Sequence, residues 1–140
     1  MVFKVFVDVN VFLDYFGKRE HFVKAEKIFE LADNGVIDAF TSVSAFQTVG
    51  YFLQKYRGSQ LAKSLLLEFA PTIELLESSK SNIVQALNSS IKDIEDAIHY
   101  YTAIEHKMDY LITNDIDFLK LDGTALNIKT PVDFLQLLQT

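Results

Sequence analysis

The chain contains no cysteine. Disulfides and thiolate zinc sites are therefore excluded, and a reducing, cytoplasmic setting is the expectation. Long apolar runs are missing too: charges interrupt "VFKVFVDVNVFLDYF" and "LAKSLLLEFA" before the roughly 20 residues that a membrane helix needs. No membrane partner is expected, and the N-terminus lacks the basic-then-apolar layout of a secretion signal. The five glycines are scattered, so no Gly-rich phosphate loop is present. No His is followed four residues on by another His, which removes the zinc-protease pattern. Basic residues are outnumbered, 13 Lys and Arg against 19 Asp and Glu, for a net charge of −6. A protein that coats nucleic acid draws most of its affinity from neutralising phosphates, so this chain is not one.

Apolar residues are plentiful, at 49% hydrophobic with 12 Phe. That composition excludes disorder and predicts one domain spanning residues 1–140. Residues 2–7 read as a buried parallel strand, β-branched and aromatic with Lys4 as the only charge. "NVFLDYF" follows as a short helix stopped by Gly17. Helical spacing recurs over 19–34 (Phe22, Ala25, Ile28, Phe29, Ala32), ending at Asn34-Gly35. Strands are predicted at 36–42, 72–77, 109–115 and 126–130. Between them lie a helix with Phe46, Val49, Leu53 and Tyr56 on one face, another from Ser59 to Pro71, and two more over 80–88 and 90–107. Pro131 opens a last helix. Strands alternating with helices predict an α/β fold built on a parallel sheet covered on both faces.

In such sheets, sites form at the carboxyl ends of strands near the topological switch point. Asp8 ends the first strand, and Asp115 and Asp117 follow the strand "YLIT", so two strands deliver acids to one edge. Asp8 alone is equally well read as a helix cap. The helix in "SSIKDIEDAIHYYTAIEHKM" adds more acid. Lys92, Glu95, His99, Thr102 and His106 recur at spacings of three and four, a pattern that predicts a water-facing stripe, while Ile91, Ile94, Ile98 and Tyr101 form the expected core stripe. His99 and His106 are thus expected on the surface. Asp93 and Asp96 share a third, more apolar stripe with Tyr100 and Ala103. Acids in a first turn favour the helix dipole by ~0.3–1 kcal/mol each, which accounts for Glu95 and in part Asp93 but not for Asp96 on its less solvated flank.

Bringing Asp8, Asp96 and Asp115 together costs about 3 kcal/mol per pair at ~6 Å and an effective dielectric near 20. A bound divalent cation or proton uptake removes that penalty. An all-oxygen cluster suits hard ions such as Mg²⁺ or Mn²⁺, which serve phosphoryl chemistry by activating water and screening phosphate charge.

At this point the residues look like a known family. "VFVDVNVFLD" resembles the first motif of PIN-domain ribonucleases, a strand ending in Asp-x-Asn-x-hydrophobic-hydrophobic-Asp. "DIEDAIHYYTAIEHKMDYLITNDIDF" resembles the family's later acidic helix, strand and Thr-x-Asp/Asn loop, in the right order and spacing. The length suits a free-standing protein of the VapC-like toxin type. The resemblance implies a three-layer α/β/α sandwich around a parallel sheet of four or five strands. It implies Mg²⁺- or Mn²⁺-dependent endonucleolytic cleavage of RNA, with catalytic and metal-binding acids at Asp8, Asp96 and Asp115 and accessory acids at Asp93 and Asp117. Asn10 is implied to orient Asp8, and the Thr113 hydroxyl to sit beside the metal or its water. An antitoxin partner and a homodimer are implied as well. One departure stands out: the family commonly carries a Glu on the helix after the second strand, where "TSVSAFQTVGYF" offers only Gln47 and Thr48.

Lys18 and Arg19, just past the first short helix, are candidates for contacting RNA phosphates at the rim of the site. Tyr51, Phe52 and Tyr56 fit core or dimer contacts better than base-stacking platforms. A phosphatase of the haloacid-dehalogenase type also opens on a strand and an Asp-x-Asp motif. Here Asn10 stands where that chemistry needs an acid, and no well-placed lysine follows. The alternative of another class is a PIN fold that has lost catalysis and binds RNA or protein, which the absent Glu favours.

Overall fold

The computed structural model describes residues 2–139. Five strands, β1 (Phe3–Val7), β2 (Ile37–Ser42), β3 (Glu74–Leu76), β4 (Tyr110–Ile112) and β5 (Asn127–Lys129), form one sheet ordered β3-β2-β1-β4-β5. Every neighbouring pair runs parallel. Around it lie α1 (Val9–Phe16), α2 (Phe22–Asp33), α3 (Val43–Arg57), α4 (Ser59–Phe69), α5 (Lys80–Asn88), α6 (Ile94–Glu105), α7 (Ile116–Leu119) and α8 (Pro131–Leu138).

β1 takes the centre because its residues can be buried on both faces. Val5 and Val7 look one way into a core shared with α1, α2, α3, α4 and α8. Phe6 looks the other way, into a second core with Ala103, Met108, Leu111, Phe118 and Ile128. The result is the expected three-layer α/β/α arrangement, with five strands. Among the described residues no helix is long and apolar enough to cross a membrane.

The chain leaves β1 for β2 and β3 on one side, then crosses to β4 and β5 on the other. The gap between the carboxyl ends of β1 and β4 is therefore the topological switch point, the place where parallel sheets open a crevice. Register fixes its walls: Val7 pairs with Ile112, so Asp8 and Thr113 emerge side by side. Both outer strands, β3 and β5, are only three residues long.

Element ends carry physical reasons. Gly17 stops α1 where a Cβ would stand 2.9 Å from the Leu13 carbonyl oxygen. Ser42 caps α3 through Ala45 N–H, and Ser79 with Asn82 forms a capping box on α5. Pro71 turns the end of α4 into a short 3₁₀ turn, Ala70–Thr72. The helix predicted from residue 19 begins at Phe22, the one predicted from 90 begins at Ile94, and α7 was not anticipated at all.

Two stripe assignments are corrected. Tyr56 and Ile94, expected in the core, are exposed, while His99 and Thr102, expected at the surface, are fully buried. Polarity alone misplaces Thr102 because its hydroxyl finds a partner indoors, the Ser78 hydroxyl at 2.8 Å. Small Ala97 and Ala103 let α6 approach the sheet on that side. The flank with Asp96, Tyr100 and Ala103 runs along the same inward side.

Phe12 anchors the larger core, meeting the rings of Phe29, Phe69 and Phe46 at centroid distances of 5.1, 5.6 and 6.4 Å. Truncation to Phe12→Ala is expected to cost about 3–5 kcal/mol, read as a lower urea midpoint at unchanged slope.

Candidate active site

Asp8 follows the last residue of β1 and caps α1, its Oδ1 accepting from Val9 N–H at 2.8 Å. Its other oxygen accepts two further bonds, from the Thr113 hydroxyl at 2.8 Å and the Asn10 amide at 3.0 Å. The cap and the site are therefore one residue. Asn10 lies one step into α1, so its side chain turns back toward Asp8. Its Nδ2 also reaches Thr113 Oγ1 at 3.0 Å, and its Oδ1 accepts from Asn114 N–H at 3.0 Å.

Thr113 is the hinge pin of this arrangement. It is fully buried just beyond β4; its hydroxyl donates to Asp8 and accepts from Asn10 and from Asp115 N–H. The same oxygen thus fixes the carboxylate of β1 and the backbone that presents Asp115. Asp115 caps α7 through Asp117 N–H at 2.9 Å. Asp117 itself turns outward, strongly exposed, and pairs with Lys120 at 3.4 Å.

α6 supplies the third side. Asp93 caps it, accepting from Asp96 N–H at 2.9 Å. Burial first, and then the Asp8, Asp93 and Asp115 carboxylates, together push the Asp96 carboxyl up to about 7, against the opposing influence of His99. Glu95 is raised as well, through lost hydration and then through Asp8 and Asp93, with His99 acting the other way. Glu95 is exposed in the first turn, as the pattern predicts, and its coupling to Asp8 sets it at the edge of the cluster. Asp8, Asp96 and Asp115 therefore share one electrostatic neighbourhood.

Asp14 went unassigned in the sequence although it closes the first motif. It is buried, accepting from Arg19 at 2.9 Å on Oδ1 and from the Asn114 amide at 3.0 Å on Oδ2. Its signal was available: a carboxylate one helical turn from Asn10 with a basic residue five positions on. Arg19 also points toward the Asn10 carbonyl at 3.4 Å, so its guanidinium braces α1 beside the acids, with about half its side chain exposed. Lys18 lies apart, lining a cavity with Tyr15, Phe22, Phe29 and Phe69. On α3, Gln47 is exposed and the Thr48 hydroxyl is turned back to the Ser44 carbonyl at 3.1 Å, so α3 adds no acid.

A strand-borne Asp–Thr–Asn lock, facing an acidic helix across the switch point, is matched by what the sequence as a whole shows. Residues 4–117 match the PIN domain. The chain belongs to the PIN-domain family. That family is one of nucleases. No curated protein matches the chain closely. Among solved structures, a toxin–antitoxin complex from Klebsiella pneumoniae superposes with a TM-score of 0.68 at 22% identity, covering 91% of this chain and 97% of that chain. VapBC2 from Rickettsia felis, bound to a DNA fragment from its promoter, gives 0.69 at 18% identity over 91% and 98%. VapC20 from Mycobacterium tuberculosis, a sarcin–ricin loop cleaving toxin, gives 0.68 at 12% identity over 87% and 98%. These likenesses carry the fold.

Among the described residues of this PIN domain, no three His, Asp or Glu side chains stand close enough to enclose a metal ion. The donor set nonetheless fits a hard cation: it is rich in carboxylate oxygen, mutually repulsive and partly desolvated. Mg²⁺ is usually held by only one or two carboxylates and keeps several waters.

The raised Asp96 carboxyl has a definite pH signature. The folded value, about 7, lies above the ordinary 3.8, so between those values the unfolded chain loses a proton that the folded chain retains. Stability therefore falls as pH rises through that window. In metal-free buffer, Asp96→Asn is expected to melt higher than the parent at pH 8 and level with it at pH 4, measured by thermal denaturation across pH.

Proposed function

We propose that the protein is a divalent-metal-dependent endoribonuclease, acting over 1–140 as one PIN-like domain, with Asp8, Asp96 and Asp115 as catalytic and metal-holding acids. The observation that carries this reading is the convergence of acids from β1, α6 and the end of β4 on one switch-point crevice, with Asp8 locked by Thr113 and Asn10. Such convergence raises the free energy of the empty site, and an Mg²⁺ or Mn²⁺ ion lowers it. Asp8, Asp96 and Asp115 would hold the ion. A bound ion there supplies charge against the phosphate oxygens and lowers the pKa of a coordinated water.

The remaining work falls to the chain's own groups. Thr113 and Asn10 keep the Asp8 carboxylate in a single orientation, which limits the reorganisation needed when substrate arrives. Asp93 and Asp117 act as accessory residues, the first by capping α6 under Asp96 and the second by donating its backbone N–H to the Asp115 carboxylate. Arg19, half exposed beside Asn10, offers positive charge to an RNA backbone passing the crevice, and the exposed Lys18, lying apart, would meet that backbone only beyond it. The toxin–antitoxin pairings of the structurally similar chains support an antitoxin as the natural restraint, in a cytoplasmic setting, and exposed Tyr51 and Tyr56 on α3 support a homodimer.

One observation favours a second reading, a non-catalytic RNA- or protein-binding PIN fold: α3 presents Gln47 and Thr48 where an acid is usual. A cleavage assay separates the two. With Mg²⁺ or Mn²⁺ the parent protein is expected to cut single-stranded or hairpin RNA, and Asp8→Asn and Asp96→Asn to lose more than about 100-fold, since even outer-shell changes cost up to that much. Equal cleavage by all three proteins refutes the assignment. No cleavage by the parent, with RNA still bound, establishes the second reading.

A further inference from the structure

Asp14 takes no part in the acid cluster, yet it is buried on α1, one helical turn past Asn10. Among the described residues, its pairing with Arg19 is the one in which a lysine or arginine meets a buried acid; the acids paired with Lys27, Lys120 and Lys129 are all open to solvent. Exposed pairs of that kind contribute little and hold no fixed geometry. Both Asp14 oxygens, by contrast, are engaged. Oδ1 meets Arg19 Nε and Nη2, each at 2.9 Å, and Oδ2 accepts from the Asn114 amide at 3.0 Å.

The backbone bends to make this pairing. Lys18 adopts a φ of 47°, the left-handed region where glycine is usual, and the chain doubles back so that Arg19 N–H donates to the Asp14 carbonyl at 3.0 Å. Nη2 also reaches the Asn10 carbonyl at 3.4 Å. Arg19 thus commits Nε and Nη2 to α1, while Nη1 enters none of these contacts and about half of the side chain stays open to solvent. The anchor belongs to the crevice as well: Asn10 donates to Asp8, and Asn114 immediately precedes Asp115. A guanidinium already held by two of its nitrogens has little rotamer freedom left to lose when the third meets an anion.

We propose that Arg19 is a fixed seat for one phosphate of the RNA strand at the mouth of the crevice, with Asp14 and Asn114 as positioning residues that act on substrate only through it. This rests on RNA being the substrate, as proposed above, and deepens that reading. The chemistry follows from the shape of the group. A planar guanidinium can face a carboxylate with one edge and a phosphate with another, whereas an ammonium is a point charge with no such fixed directions. The sign of Asp14 argues the same way. A further negative charge beside an acidic site opposes RNA, so its presence there is offset only by the orientation it gives Arg19.

The deciding measurement is the binding of phosphorothioate-linked single-stranded RNA in Mg²⁺ buffer, followed by fluorescence anisotropy across a salt series. Arg19→Gln is expected to lower the slope of log affinity against log salt by about 0.7, a deficit that grows roughly 5-fold for each tenfold dilution of salt. Arg19→Lys keeps the charge and is expected to recover the slope but not the affinity. Asp14→Asn removes a negative charge, so an arginine that needed no positioning would then bind RNA more tightly. Weaker binding is expected instead, with no further loss when Asp14→Asn is added to Arg19→Gln. Tighter or unchanged binding by Asp14→Asn, or full rescue by Arg19→Lys, overturns the positioning role. An unchanged slope in Arg19→Gln overturns the seat itself, and the cleavage assay on Asp8→Asn then decides the nuclease reading separately. No RNA binding by the parent overturns both. The two Arg19 variants alter a half-exposed side chain and decide the matter even if Asp14→Asn fails to fold.

Discussion

Carboxylates repel, and the whole site is organised around that repulsion. β1, β4 and α6 end or begin at the same crevice, and each arrives with acid. The chain meets the resulting strain in two different ways. Asp8 accepts three hydrogen bonds, from Val9, Asn10 and Thr113, which hold its carboxylate in one orientation. Asp96 is treated otherwise: burial and three neighbouring acids push it up to about 7. One acid is thus a fixed element of the scaffold, and another is left responsive to protons and cations. That division follows from which element each sits on, since a strand end meets many backbone and hydroxyl donors and a helix flank meets few.

Around this pair lies a second tier that ties α1 to the loop after β4. Asn10 accepts from Asn114, Asn114 donates to Asp14, and Asp14 holds Arg19. The bonds cross about a hundred residues of sequence, so the crevice forms only when the sheet does. Every polar partner in the tier is itself paired, a condition under which buried networks rigidify a fold instead of weakening it.

Much of this was legible before any coordinates. The five strands, the parallel sheet and the arrival of Asp8 and Asp115 at one edge follow from period-two and period-3.6 patterns and from the strand-end rule. The likeness of two motifs to PIN domains supplied the rest of the acid set. The inward face of α6 was misread because polarity was scored residue by residue. Thr102 is buried beside a Ser78 hydroxyl 24 positions away, and His99 is buried against Phe6 and Asp8, which only folding brings to it. Asp14 stood in plain view within the first motif, but its partners, Arg19 and Asn114, give it meaning only together. α7 is a four-residue turn whose apolar content is too short to carry a period.

The sheet's outer strands have a consequence of their own. β3 and β5 each span three residues, and β5 reads Asn-Ile-Lys with a charged end. So short a border exposes few free backbone amides and carbonyls, and lysine there discourages an incoming strand. The molecule is poorly suited to growing its sheet by recruiting neighbours, which is the usual route into fibrils. What the borders leave open to other molecules is helix surface, where contact is written in shape and charge.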